Sequence, residues 1–586
     1  MAYLDLFGKK SVNSKINSPL DYSILAEKIK KKYSKKFKKI NFAILSTYTA
    51  ETLKDYLIVE LAKRSLNCEL KFFPLNQFEQ EILNKDSKIY DKEIDVILLL
   101  FFFEDFGITE KSDNKQMLSR ISKLIKSIRE KSTAKIFMPN FFGRPENNDG
   151  NLYPNNSKKL EENLIIINKL LLNLIKKKND VFLIDFKKLV FNFGAKNIFD
   201  KKLDYIGKVP FSVSGQINVS NQIARYISAS FRYPKKCLVL DADNTLWGGI
   251  VGELGKDNIL LSESYPGNTF KDFHRYILEL YKRGIILALA SKNNYEDVKS
   301  VFSGNDDSLL KLKHFSSIQV NWNEKFINLK KISNDLNIGL DSLVFFDDNP
   351  FERELIKKKL PEVSVIDVPK DSSKYIKALE DSELFDTFSI SSEDRKRNII
   401  YNQEKKRKVF KSNFNDIDSF LKNLKMKAKF YKIKENDLGR AVQLLSKTNQ
   451  FNLTTRRHSE TDLISILKNG GIGYTMRISD CFGDNGVVGL ILISKVQTKW
   501  YIDSFLLSCR VIGRKAEDLL LSFTLNNLLK INKKKKIEVV GEYIPTPRNP
   551  LVKDFFKIKG FLPKNNLWYK KVSKPLPMPK FFKIVN

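Results

Sequence analysis

The stretch "CLVLDADNTLWGG", Cys237–Gly249, decides how the middle of this 586-residue chain is read. An apolar run, Cys237 to Leu240, stops on two acids, Asp241 and Asp243, followed by Asn244, Thr245, Gly248 and Gly249. An apolar run ending on carboxylates and glycines is the pattern of a buried parallel strand whose carboxyl end opens onto a functional loop. Working outward, the runs "GIILALAS" (284–291), "FSSIQVN" (315–321) and "DSLVFFDD" (341–348) also have strand character. Each leads to polar groups: Ser291 and Lys292, then Lys325 after the short turn "NWNE", then Asp347 and Asp348.

Four carboxylates gathered at strand ends repel one another and need a cation. Oxygen-only ligands with room for water suit Mg²⁺. One carboxylate beside Mg²⁺ can attack a phosphorus, and a second can protonate the leaving oxygen and later deprotonate water. A hydroxyl and an ammonium can hold the phosphoryl oxygens as charge develops. The segments between Gly255 and the helix at 270–283, and between Ser291 and Lys325, are too short for a cap domain. The site is therefore expected to be open, covered only by the flap "WGGIVGELG" (247–255) or by another domain.

The ordered set Asp241-x-Asp243-x-Thr245, Ser291, Lys325, Asp347-Asp348 resembles the haloacid dehalogenase (HAD) superfamily of phosphotransferases. That resemblance implies Asp241 as nucleophile and Asp243 as acid/base. It implies that Ser291 and Lys325 bind the phosphoryl group and that Thr245 shapes the loop. Asp347 and Asp348 would complete a Mg²⁺ site with Asp241 and the backbone carbonyl of Asp243.

Composition sets the wider frame. Hydrophobic residues are 42% and charged residues 29%, as in a globular chain. The formal net charge is +34. Such a charge suits an acidic partner, but Lys is spread along the chain, and the runs at 28–39 and 532–536 lack interleaved aromatics, so no nucleic-acid partner is expected. Cys68, Cys237, Cys481 and Cys509 show no CxxC spacing, which argues against a zinc or disulfide framework and fits a reducing cytoplasm. No secretory signal is expected at the start, and the longest apolar run, "VILLLFFF" (96–103), is too short to span a membrane.

Within a first domain expected over 1–230, residues 40–230 alternate apolar runs with amphipathic segments, the grammar of a parallel α/β sheet: strands are expected at 40–47, 94–102, 134–142 and 180–186. This region resembles the SGNH-hydrolase-like domain, with flavodoxin-like layering, but it departs from active hydrolases. No His precedes His274, and "DFKK" (185–188) stands where such enzymes carry DxxH, so no Ser-His-Asp triad can form here. Ser46 sits at a strand end without a base, and "NQFEQEI" (76–82) and "PNFFGRP" (139–145) are candidate pocket linings for a docking module. A HAD-type parallel sheet without a cap domain is expected over 231–375, a helical connector over 376–424, an α+β domain over 425–575 and a peripheral tail over 576–586.

In the α+β domain, "WYIDSFLLSCRVIGRKAEDLLLSFTLNNLL" (500–529) reads as a strand, a tight turn and a helix. Arg510, Gly513 and Arg514 in that turn form an anion cradle at a helix start. The RxxG core resembles the pyrophosphate loop of GCN5-related N-acetyltransferases (GNAT), which implies binding of coenzyme A or a phosphopantetheine arm. Cys509, beside Arg510 and a helix start, is a candidate acyl acceptor, and a small buried thiol is the alternative. His458, after Arg456 and Arg457, is a candidate base or a surface residue.

"TNQFNLTTRRHS" (448–459), "SDCFGDNGVVGLILI" (479–493), "DSFLLSCRVIGR" (503–514), "GEYIPTPRN" (541–549), "LDADNTLWGGIVGE" and "FFDDNPFERE" together resemble FkbH-like proteins, HAD subfamily IIIC with a GNAT-like C-terminal domain. Characterised members take the glyceryl unit of 1,3-bisphosphoglycerate, remove its phosphate and leave glyceryl as a thioester on an acyl carrier protein. The resemblance implies a small phosphorylated substrate, an acyl carrier protein as partner and a cytoplasmic enzyme. A second reading is a phosphatase fused to an N-acyltransferase acting on sugar intermediates of surface polysaccharide.

Overall fold

The computed structural model describes residues 18–32, 37–106, 114–142, 159–176, 180–388, 390, 392–434, 438–448, 450–532 and 536–585. The chain divides into two compact units, Met1–Tyr233 and Pro234–Asn586.

The first unit holds strands β1 (Lys38–Ser46), β2 (Leu66–Phe72), β3 (Val96–Leu100), β4 (Lys135–Pro139) and β5 (Val181–Ile184). They pair in parallel in the order β2-β1-β3-β4-β5, the flavodoxin-like arrangement. Ala43, Leu45, Ile97 and Leu99 face one layer, with the helices Asn114–Lys131 and Lys159–Lys176. Phe42, Ile44, Val96 and Leu98 face the other, with Lys54–Lys63 and Val213–Phe231. Strand β2 carries no long apolar run because it is an edge strand, with only Leu66 fully buried.

The second unit begins with β6 (Cys237–Leu240), β7 (Ile286–Ser291), β8 (Phe315–Val320), β9 (Leu343–Phe346) and β10 (Ser364–Val365), all parallel in the order β10-β9-β6-β7-β8. Strand β6 lies at the centre. Leu238 and Leu240 enter one core layer and Cys237 and Val239 the other, as period-2 alternation requires in a sheet covered on both faces.

The rest of the unit is a mixed sheet of β11 (Met426–Lys432), β12 (Phe451–Asn452), β13 (Ile472–Asp480), β14 (Gly483–Val496), β15 (Lys499–Leu507), β16 (Ile537–Gly541), β17 (Leu562–Lys564), β18 (Leu567–Val572) and β19 (Phe582–Ile584). Strands β11, β13, β14 and β15 are antiparallel, and β16 returns parallel to β15 through the helix Ala516–Ile531. The tail supplies β19, a half-buried to exposed strand that pairs with β11 at the edge of the sheet. Its Pro-rich start hid a short strand at its end.

The helix Ser392–Lys411 ties the two sheets of this unit together. Asn398 donates to the carbonyls of Tyr281 (2.7 Å) and Ile285 (3.1 Å), while Arg407 forks onto Asp480 (2.8 and 2.9 Å). Gly284 has φ +90°, and a Cβ there would fall 1.8 Å from the carbonyl oxygen of Asp394, so no larger residue fits under this helix.

Candidate active site

The site is built on the carboxyl ends of β6, β7 and β9 and the loop after β8. Beyond Leu240 the chain leaves the sheet. Asn244 takes φ +52°, a conformation Asn tolerates, and its side chain accepts the Gly249 amide at 2.8 Å to fix the turn. The turn sets Asp241 over the sheet and Asp243 to its flank. Asp243 accepts hydrogen bonds from Trp247 Nε1 (2.8 Å), the Val251 amide (3.1 Å) and Asn293 Nδ2 (2.8 Å). Trp247 is fully buried, so this carboxylate is anchored by a core side chain.

Carboxylate oxygens of Asp241, Asp347 and Asp348 lie within 4.8 Å of one another. Lys325 Nζ sits 3.0 Å from Asp241 Oδ2 and 2.6 Å from Asp347 Oδ2. Lys325 opens the helix Lys325–Leu336, where the helix dipole disfavours a cation, and it is only 3% exposed. The two carboxylates compensate: each attraction is worth ~5 kcal/mol at these distances with an effective dielectric of ~20. Asp347 also accepts the Asn349 amide at 2.9 Å, and Asp348 accepts Thr245 Oγ1 at 3.2 Å. Ser291 ends β7, buried, and its carbonyl accepts the Asn321 amide at 3.1 Å.

Electrostatics follow from this crowding. Burial and the Asp241 charge push Asp347 up to about 7 against the pull of Lys325. Asp348 is raised by the same two causes. Burial raises Asp243, which suits a carboxyl that must carry a proton. For Lys325, burial opposes the ammonium, but Asp241 and Asp347 outweigh it and its pKa rises.

The residues fit Mg²⁺. Three carboxylates and one ammonium leave a charge near −2, and Asp241 Oδ1 is buried with no hydrogen-bond partner among the described residues. An orphaned buried carboxylate oxygen facing two other carboxylates is a ligand position waiting for a cation. The Asp243 carboxylate stands outside this cluster, engaged with Trp247, Val251 and Asn293.

Sequence reasoning missed three contributors. Asn293 holds Asp243. Arg353 donates to the backbone carbonyls of Asp347 (2.9 Å) and Asp348 (2.6 Å), fixing the loop that presents both acids. Glu352, 4% exposed, receives Lys292 at 2.9 Å. Asn293 follows Lys292 directly, and Glu352 and Arg353 lie inside "FFDDNPFERE", so proximity to the motifs was the available signal.

The C-terminal candidates are arranged differently. Gly513 takes φ +78° in the turn before Ala516–Ile531. Arg510 donates to Ser508 Oγ (2.9 Å) and the Asn485 carbonyl (2.5 Å). Arg514, expected as an anion ligand, is instead buried in an internal ion network with Asp480 (3.2 Å) and Glu404 (2.5 Å). A guanidinium so engaged fastens the connector helix to the sheet. Cys509 opens a 3₁₀ turn, Cys509–Val511, and its side chain lies outside the described residues. Strand β15 pairs with β16 only as far as Ile502 and Gly541. Beyond that point its edge is taken by Phe451–Leu453: Phe451 pairs with Leu507, and the Leu453 amide donates to the Phe505 carbonyl at 3.1 Å.

In the first unit, Asp185 caps the helix Phe186–Phe193, accepting the Lys188 amide at 3.0 Å and Asn140 Nδ2 at 2.7 Å. The Asn76 amide donates to the Ser46 carbonyl at 3.0 Å. Of the stretch 139–145, residues 143–145 lie outside the described residues.

Among the described residues no helix is long and apolar enough to cross a membrane. Residues 41–227 match the family described as FkbH, N-terminal domain. A search of curated proteins finds no similar sequence. Among solved structures, the chain is similar to the N-terminal part of the protein BF1531 from Bacteroides fragilis, which contains a phosphatase domain and was crystallised with Mg. The identity is 27%, the TM-score 0.56, and the match covers 62% of this chain and 98% of that one. An acetyl xylan esterase matches at 13% identity and TM-score 0.24, over 32% of this chain and all of that one. The PaiA N-acetyltransferase of Thermoplasma acidophilum, in complex with coenzyme A, matches at 11% and TM-score 0.19, over 25% of this chain and 99% of that one. Residues 41–227 are thus similar to the FkbH N-terminal domain family, and 62% of the chain is similar in fold to a structure that contains a phosphatase domain.

Proposed function

We propose that this protein is a Mg²⁺-dependent phosphatase and acyltransferase that takes glyceryl from 1,3-bisphosphoglycerate, removes its phosphate and loads the acyl unit onto an acyl carrier protein in the cytoplasm. The observation that supports it most is the gathering of Asp241, Asp347, Asp348 and Lys325 at one sheet end, with the buried Oδ1 of Asp241 unspent.

The phosphatase half follows from the residues. The Asp241 carboxylate attacks phosphorus, forming an aspartyl phosphate as the bond to the leaving oxygen breaks. Asp243, raised by burial, gives its proton to that oxygen and then takes one from the water that hydrolyses the aspartyl phosphate. Lys325 and Ser291 hold phosphoryl oxygens. Mg²⁺, held by Asp241, Asp347, Asp348 and the Asp243 carbonyl, would supply the positive charge that lets two anions approach.

The acyl half rests on the GNAT-like sheet and the turn at Arg510 and Gly513, with a phosphopantetheine or coenzyme A thiol as acceptor and Cys509 as an intermediate acyl carrier. Intact-mass spectrometry after mixing the protein, Mg²⁺, 1,3-bisphosphoglycerate and candidate carrier proteins tests it. A glyceryl adduct on the carrier supports the reading, and its persistence as an adduct on the Cys509→Ala enzyme would remove Cys509 from the path. Phosphate release with no adduct favours acyl transfer to a sugar amine.

A further inference from the structure

Three stretches far apart in sequence converge where β15 and β16 part. From 448–459 comes a wedge that bridges the gap: Thr454 Oγ1 donates to the Asp503 carbonyl (2.8 Å), and the Leu453 carbonyl accepts the Ile544 amide (2.9 Å). From 541–549 comes Asn549, fully buried, which donates to the carbonyls of Asn452 (2.9 Å) and Ile544 (3.0 Å) and so locks the wedge to the strand after the gap. From β15 comes Asp503, the first residue past the last β15–β16 pair.

This framework presents a polar cluster. His458 Nε2 lies 2.6 Å from Asp503 Oδ1, which also accepts Ser504 Oγ at 2.8 Å. Arg456 reaches Asp503 Oδ2 at 3.2 Å and Glu542 at 2.5 Å, joining both lips of the gap. Burial raises the Asp503 carboxyl, but His458, Ser504 and Arg456 together bring it below its ordinary value, so it stays anionic beside the imidazole. The side chains of His458 and Asp503 are 14% and 15% exposed, open enough for a small group to reach the ring. With Nε2–H directed at Asp503, Nδ1 is the ring atom left with a lone pair, and it makes no hydrogen bond among the described residues.

We propose that His458, oriented by Asp503, is the general base of the acyl-transfer half-reaction. The proposal rests on the acyltransferase reading above and names the group that activates its acceptor. An imidazole is matched to the proton of a thiol, with pKa ~8.5. The acceptor it is assigned to is the thiol of the acyltransferase reading, such as that of a pantetheine arm. The thiol proton passes to Nδ1. Sulfur bonds to the acyl carbon as the bond from that carbon to the departing group breaks, and Nδ1 returns the proton to that group. Asp503 acts through His458 and is a positioning residue.

The test measures glyceryl transfer from 1,3-bisphosphoglycerate to N-acetylcysteamine by the full-length protein with Mg²⁺, with thermal unfolding as a check that variants fold. His458→Gln is expected to slow transfer by about 10²–10³-fold and Asp503→Asn by about 10-fold. Replacing the acceptor with trifluoroethanethiol, which is largely ionised without help, is expected to restore most of the rate to His458→Gln. A variant that transfers to N-acetylcysteamine at the wild-type rate, or that loses both thiols equally, overturns the assignment of the base alone. A wild-type protein that releases phosphate yet acylates neither thiol overturns the acyltransferase reading, and this assignment with it.

Discussion

The N-terminal sheet and the sheet built on β6 are both five-stranded and parallel, and both end their strands on acids. In the first, the acids are consumed by their own loops. Asp105 accepts the Thr47 hydroxyl and the Phe102 amide, and Asp185 takes Asn140 and the start of its own helix. In the second, Asp241 keeps an oxygen with no partner, and three carboxylates crowd one lysine. A strand end becomes a site when polar groups are left over after the backbone has been satisfied, because only those can bind something else. The leftover buried groups of the first unit among the described residues, which include the Tyr48 hydroxyl, Asn41 Oδ1 and Ser220 Oγ, belong to no such carboxylate cluster.

The sharpest way to break this contrast is at Asp241. Asp241→Asn should lower Mg²⁺-dependent phosphate release by on the order of 10⁴-fold or more, as loss of a nucleophile does. Steady-state assay with p-nitrophenyl phosphate reads this, and residual activity within tenfold of wild type would remove Asp241 as the nucleophile.

Lys325→Met comes next. It strips the compensating charge from two buried carboxylates, so unfolding should cost about 3 kcal/mol less in chelator. Phosphate release should fall by roughly 10²-fold through loss of phosphoryl binding. Urea melts with and without Mg²⁺ separate the two effects, and Mg²⁺ should recover part of the stability.

Protonation sharpens the contrast in the metal-free protein. Asp347 is held up at about 7, so the folded state keeps a proton that the unfolded chain releases near 4. The folded state therefore binds more protons between these values, and stability falls as pH rises through 7. Melting temperature in chelator should drop between pH 5 and pH 8, and saturating Mg²⁺ should flatten that slope. A rise over the same interval would contradict the crowding of these carboxylates.

The smallest effect is expected in the first unit. Asp105→Asn removes a charged acceptor from Thr47 and Phe102 and should cost about 1–2 kcal/mol of that unit's stability, leaving phosphate release unchanged. Abolished activity with unchanged stability would mean that the N-terminal strand ends are a working site.

Much of this was legible in one dimension. Apolar runs of four to six residues ending on acids announce buried parallel strands, since a strand covered on both faces needs no polar alternation. The order Asp241, Asp243, Ser291, Lys325, Asp347, Asp348 pointed to one candidate site, because strand ends in one parallel sheet share one edge. Edge elements were not legible: β2 is half exposed, and β19 follows prolines. The pairing of Arg514 was not legible for a related reason. Its motif marks a turn at a helix start, yet the guanidinium pairs with Glu404 and Asp480, residues 110 and 34 positions away.

The sequence by itself determined the buried parallel strands and put forward the candidate phosphoryl residues at their ends, because burial and local turn chemistry act over a few residues. Only the tertiary structure decided which polar groups remain unspent: Asp241 Oδ1 in one sheet, and His458 beside Asp503 in another. The reason is that a hydrogen bond is satisfied or left open by partners tens of residues away, and their distances exist only once the chain has closed on itself.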